Sequence, residues 1–256
     1  MKKIGILGGL GPEASNKFCE LLIKHKHVQE DQDHIPFIHY CNTKIPNRIN
    51  YISGKNTRNP VPEMINSCKV LEKMGVDCII IPCNTIHTLL PEIQEKISIP
   101  IINIIRLLVK SIKLNNPFIR KIGVLGTTLT IELKLYERYL NLVGIDVIRL
   151  NLKDQEKLVM RSIYDIKGGQ KKEPKKLLIE ASNRLTDLGA EALIMGCTEI
   201  PLVLKQKDIS IDIYDPMENC AKEIIKFMEK TDPQEISEKK FPILREVEIS
   251  KMNINE

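Results

Sequence analysis

Two blocks of this sequence each occur twice, in the same order and at nearly the same spacing. Lys3-Ile4-Gly5-Ile6-Leu7-Gly8 returns as Lys121-Ile122-Gly123-Val124-Leu125-Gly126, 118 residues later. Gly75-Val76-Asp77-Cys78-Ile79-Ile80-Ile81-Pro82-Cys83-Asn84-Thr85 returns as Gly189-Ala190-Glu191-Ala192-Leu193-Ile194-Met195-Gly196-Cys197-Thr198-Glu199, 114 residues later. The period is too long for a solenoid unit. It describes a duplicated domain with two similar halves of about 110 residues.

Each half alternates strand and helix patterns. Short apolar runs occur at 3–8, 36–40, 77–82 and 99–104, and again at 121–126, 145–150, 191–196 and 210–214. They are rich in Ile and Val and bounded by Gly, Pro or Asp, as buried parallel strands are. Between them lie helical patterns. Pro62 opens one carrying Met64, Cys68, Leu71 and Met74, closed by Gly75; Pro174 opens its counterpart, with Leu178, Ala181, Leu185 and Leu188 before Gly189. The expected fold is α/β, with two pseudosymmetric Rossmann-like domains built on parallel sheets. The boundaries read from the pattern are 1–102 for the first domain and 103–215 for the second. A helix over 216–230 returns to the first, and a charged tail over 231–256, with Phe241–Leu244 as its apolar segment, follows.

Composition excludes several functions. The net charge of +5 is scattered, without the dense basic stripe that phosphate backbones require. Aromatic residues make up 4% and Trp is absent, so base stacking has little to work with. No nucleic-acid partner is expected. No run of about 18 apolar residues exists for a membrane span, and four glycines and a proline within 4–12 leave no apolar core for a signal peptide. The seven cysteines include no Cys-x-x-Cys pair, which argues against both a disulfide framework and a zinc ribbon. A reducing cytoplasm and no metal are the plain expectations.

Cys83 and Cys197 end the same strand in the two repeats and lead into polar residues. In open α/β sheets the carboxyl edge of the strands is where ligands bind. A cysteine there lies near free backbone N–H groups and the positive end of a following helix, which favours thiolate. If the halves face each other about a pseudo-twofold axis, the two thiols approach one cleft from opposite sides. That arrangement suits inversion of a stereocentre: one base removes a proton from one face while an acid delivers one to the other. Cys19, Cys41, Cys68, Cys78 and Cys220 read instead as small buried hydrophobes.

These motifs resemble the aspartate/glutamate racemase superfamily, most closely its aspartate racemases, over residues 3–230. The resemblance is carried by Gly8-Gly9-Leu10-Gly11-Pro12-Glu13-Ala14, Pro82-Cys83-Asn84-Thr85-Ile86-His87, Leu125-Gly126-Thr127-Thr128, Gly196-Cys197-Thr198-Glu199-Ile200-Pro201 and Asp215-Pro216-Met217. It implies an active site in the cleft between two domains, an acidic amino-acid substrate such as aspartate, no pyridoxal phosphate or other cofactor, and a homodimer. Glutamate racemases usually carry an Asp-Ser type motif near the amino terminus and a His directly after the second Cys-Thr. Gly8–Ala14 and Glu199 occupy those places here and point to the aspartate or broad-specificity branch. Glutamate racemases, hydantoin racemases, maleate isomerases and arylmalonate decarboxylases remain as alternatives on the same scaffold. A non-catalytic binder of small carboxylates is the alternative outside enzymes.

The resemblance assigns Arg48 to the distal carboxylate of the substrate and Lys167 to a second cation on a lid. The chemistry of the α-carboxylate calls for donors, and Asn84, Thr85, Thr127, Thr128 and Thr198 follow the relevant strand ends; helix capping is the ordinary alternative for each. Gly9 and Gly11 read as a tight strand-to-helix turn at the cleft, since their spacing does not fit a dinucleotide fingerprint. His87 and Glu199 are placed to orient or polarise the cysteines.

Overall fold

The computed structural model describes residues 2–55 and 58–230; the tail at 231–256 lies outside the described residues. Among the described residues eight strands form, one at each expected run: β1 (Ile4–Gly8), β2 (Phe37–Cys41), β3 (Cys78–Ile80), β4 (Ile101–Ile102), β5 (Lys121–Leu125), β6 (Asp146–Ile148), β7 (Ala192–Met195) and β8 (Asp212–Tyr214). They build two parallel sheets of four, in the orders β2-β1-β3-β4 and β6-β5-β7-β8. The two orders are the same permutation, as a duplication requires. The chain divides into two compact units. The first takes the described residues up to Leu107 and those from Met217 on, and the second takes Leu108–Pro216.

The repeated glycines explain why the sheets pack as they do. A Cβ on Gly5 would lie 2.9 Å from Val76 Cγ2 and 3.4 Å from Leu71 Cδ1. A Cβ on Gly123 would lie 2.6 Å from Leu193 Cδ2 and 3.1 Å from Leu185 Cδ1. In both units the central strand is bare at this point, so a leucine of the covering helix can settle against it. Those helices are Val61–Lys73 and Lys172–Asp187. Pro174 falls within the first turn of the second rather than opening it, because Lys172 and Glu173 already follow the helical path. Met64, Cys68 and Leu71 face one sheet, and Leu178, Ala181 and Leu185 the other, all fully buried. Each large side chain so buried contributes roughly 1.5–3 kcal/mol.

The helix Pro216–Lys230 joins the first unit. Its Cys220, Ala221 and Ile224 are buried, Lys2 donates to Met228 O at 3.3 Å, and Lys26 pairs with Glu229 at 2.9 Å. All seven cysteines are free. Cys41 departs from the expectation of burial: it ends the edge strand β2 and is exposed. Among the described residues no helix is long and apolar enough to cross a membrane.

Candidate active site

Because each sheet is wholly parallel, the carboxyl ends of its strands share one edge, and Cys83, Asn84, Thr85, Thr127, Cys197 and Thr198 follow strand ends there. In the first unit the loops after β1 and β2 are nested. Gly9 has φ +97°, and a Cβ on it would lie 2.2 Å from Asn42 O, so no other residue fits. Asn42 is fixed in turn by its amide, which donates to Glu63 at 2.7 Å and to Ser67 Oγ at 2.9 Å. Gly11, at φ +143°, opens the helix Pro12–His25. Further along, Asn47 Oδ1 accepts from the N–H of Ile49 and of Asn50, starting the short helix Arg48–Ile52. That helix lies against the turn Thr85–Thr88. The Nε of Arg48 is shielded from solvent and makes no hydrogen bond among the described residues.

Cys83 follows β3 and is 3% exposed, with Asn84 and Thr85 buried beside it. His87 is buried too, and both ring nitrogens are used. Nε2 accepts from Ile104 N at 3.2 Å, so Nδ1 carries the proton and donates to Cys83 O at 2.8 Å. Burial lowers the pKa of this imidazole and keeps it neutral. His87 therefore holds the backbone of Cys83; no bond to the sulfur is made.

The second unit treats its thiol differently. Cys197 Sγ donates to Glu199 Oε2 at 2.9 Å, and Thr198 Oγ1 donates to the same oxygen at 3.3 Å. The other oxygen, Oε1, pairs with Lys167 Nζ at 3.7 Å. Lys167 ends the helix Arg161–Lys167, which packs against the turn Ile200–Leu202. Thr127 accepts from Thr130 N at 3.1 Å and caps the helix Thr128–Glu132. Thr128 spends both its donors on a neighbouring helical stretch: its N–H on Met160 Sδ at 3.2 Å and its hydroxyl on Glu156 at 2.5 Å.

The expectation that both cysteines sit at the positive end of a helix does not hold. Single 3₁₀ turns follow them, Thr85–Thr88 and Ile200–Leu202, too short to carry a useful dipole. Burial pushes the Cys197 thiol well above the ordinary thiol range, and the carboxylate of Glu199 raises it further; Lys167 opposes only in part. Two residues not singled out from the sequence belong to this surrounding. Tyr136 is buried under Gly196 and faces Cys197 and Asp215, and Gln155 is buried with its amide on Gly126 O at 2.8 Å. Neither had a signal, since a Tyr or Gln in a helical run reads as an ordinary helix residue. Among the described residues no three His, Cys, Asp or Glu side chains gather as a metal site needs.

The pattern of the Asp/Glu/hydantoin racemase family matches residues 7–224. The chain belongs to that family. This racemase is 29% identical over 224 residues to the broad-specificity amino-acid racemase RacX of Bacillus subtilis, a match covering 87% of this chain and 96% of that protein. Its structure is similar to the aspartate racemase of Picrophilus torridus, with a TM-score of 0.77, 28% identity, and 92% and 98% of the two chains covered. It is also similar to an aspartate racemase homologue from Pyrococcus horikoshii OT3, with a TM-score of 0.75, 27% identity, and 90% and 100% covered. The enzyme is thus an amino-acid racemase with two four-stranded parallel sheets.

Proposed function

We propose that the racemase interconverts the L and D forms of an acidic amino acid, with aspartate preferred, by replacing the α-proton from the opposite face with Cys83 and Cys197 as the base and acid, without pyridoxal phosphate. The observation that carries the reading is the equivalence of the two thiols. Each is buried, and each follows the matching strand of its own sheet, β3 or β7. One thiolate takes the α-proton from one face of the substrate, and the other thiol gives its own proton to the opposite face. The two cysteines end the turnover with their protonation states exchanged, and the reverse reaction restores them. Burial and Glu199 hold the proton on Cys197, so Cys197 begins as the acid and Cys83 takes the role of base.

Arg48 supports an acidic substrate, because its shielded Nε lacks a partner among the described residues and a guanidinium fork suits a carboxylate. Asn84, Thr85, Thr127 and Thr198 complete the proposed cradle for the α-carboxylate, and Lys167 joins through its link to Glu199. The same proposal takes the working enzyme as a cytosolic homodimer, and sedimentation of the purified protein as a single-chain species contradicts that part. A broader substrate range is the second reading, favoured by the similarity to RacX; comparable rates with neutral or basic amino acids select it. The two-thiol mechanism is tested by Cys83→Ala and Cys197→Ala. Each is expected to lose racemisation by about 10³-fold or more while keeping its circular dichroism. Substantial turnover in both single variants overturns it.

A further inference from the structure

We infer that the turn Gln155–Met160 is a positioning element for the substrate cradle, fastening the loop after β5 so that Thr127 meets the α-carboxylate. This rests on the proposed reading that Thr127 belongs to that cradle. The helical stretch from Leu152 to Lys167 is α-helical at both ends and π-helical between 155 and 160. The wide turn is closed by Arg161 N–H donating to Glu156 O, five residues back. Single π turns inside α-helices occur often at functional sites.

The geometry shows what this one gains. In an α-helix of about 3.6 residues per turn, side chains five apart point about 140° away from each other. A turn closed at i→i+5 brings Gln155 and Met160 to the same side. Two residues of the β5 loop are held by three bonds: Gln155 donates to Gly126 O at 2.8 Å, Met160 Sδ accepts from Thr128 N at 3.2 Å, and Glu156 accepts from Thr128 Oγ1 at 2.5 Å. Gln155 is 4% exposed, so its amide is committed to this bond. Between these two residues sits Thr127, buried, its hydroxyl bonded among the described residues to Thr130 of its own helix. Thr128 is thus a fastening point, and Thr127 is the residue presented. The base of the stretch is anchored separately, by Asn151 capping Asp154 N at 2.9 Å and Arg184 pairing with Asp154 at 2.5 Å.

A π turn is one residue more than the α-helix needs, so removing an exposed residue from it returns the stretch to α-helix and leaves Lys167 in phase. Deletion of Lys157 does this, since its side chain is exposed. Gln155→Met, which keeps volume and removes only the amide bond, is the second variant in case the deletion does not fold. For both, KM for aspartate is expected to rise about tenfold or more with kcat held within about threefold, as a misplaced carboxylate contact dictates. Thermal unfolding is measured in parallel. Unchanged KM in a folded variant, or a loss confined to kcat, overturns the inference. Thr127→Val separates the two levels. If its KM is unchanged, the cradle reading itself fails and takes this inference with it. If KM rises in Thr127→Val but not in the Lys157 deletion or Gln155→Met, only the role of the π turn fails.

Discussion

Cys197 and Cys83 occupy equivalent places and have unlike surroundings. Cys197 donates a hydrogen bond to a carboxylate oxygen at 2.9 Å, whereas His87 binds the backbone of Cys83. The charged and titratable groups facing Cys197 are Glu199 from its own loop, Lys167 from the helix Arg161–Lys167, and Tyr136, which itself faces Asp215. A raised thiol pKa means that the proton is kept to higher pH, so Cys197 serves as acid further into the alkaline range. Glu199→Gln removes the negative charge and keeps the shape. The alkaline fall of kcat, in the direction that uses Cys197 as acid, is then expected at lower pH than in the parent enzyme. An unmoved alkaline limb in both directions contradicts this. At this scale the sequence offers one distinction, because repetition singles out Cys83 and Cys197 among seven. It did not show the raised pKa of Cys197, which depends on burial and on a side chain folding back from two residues away.

The strand-end loops are held by buried polar side chains rather than by helix dipoles. His87 ties the Cys83 loop to the start of the helix Ile104–Asn115 through two bonds. Its folded pKa is lowered by burial. As pH falls the unfolded chain therefore binds the proton first, and the stability His87 contributes is present above about pH 6.5 and lost below it. His25 and His39 are lowered in the same direction, so the comparison must be with a variant at each pH. His87→Ala is expected to cost about 2–4 kcal/mol at neutral pH, from a buried N–H and a buried C=O left unpaired. It is also expected to unfold with a shallower acid dependence than the parent; equal dependence in urea titrations at pH 7.5 and 5.5 contradicts the account. All eight strands were legible because β-branched runs bounded by Gly, Pro or Asp have few other uses. The π turn was not legible, since one extra residue in a helix leaves no period in the sequence. Cys41 was misread for a related reason: nothing local tells an edge strand from a central one.

At the scale of the whole chain, duplication fixes the order of each sheet, and the last helix closes the first unit. Ile224 is buried among residues of that unit although it lies more than a hundred residues beyond β4 in sequence. Ile224→Asp places an unpaired charge in that core. Amide exchange is expected to quicken in β1–β4 and in Pro216–Lys230 and much less in β5–β8. Faster exchange confined to the second unit contradicts the assignment of the helix. The alternation of elements was legible across the chain; the unit boundary, which falls inside the helix Ile104–Asn115, was not, because a continuous helix hides a change of partner. In the proposed mechanism one thiolate removes the α-proton of the substrate and the other thiol supplies a different proton to the opposite face. Proton NMR of the reduced enzyme with L-aspartate in deuterated water tests it most directly, with chiral chromatography on the same samples. The account predicts loss of the α-proton signal together with D-aspartate appearing, and neither in Cys83→Ala or Cys197→Ala. Exchange that persists undiminished in either variant, or no exchange with any acidic amino acid, contradicts it.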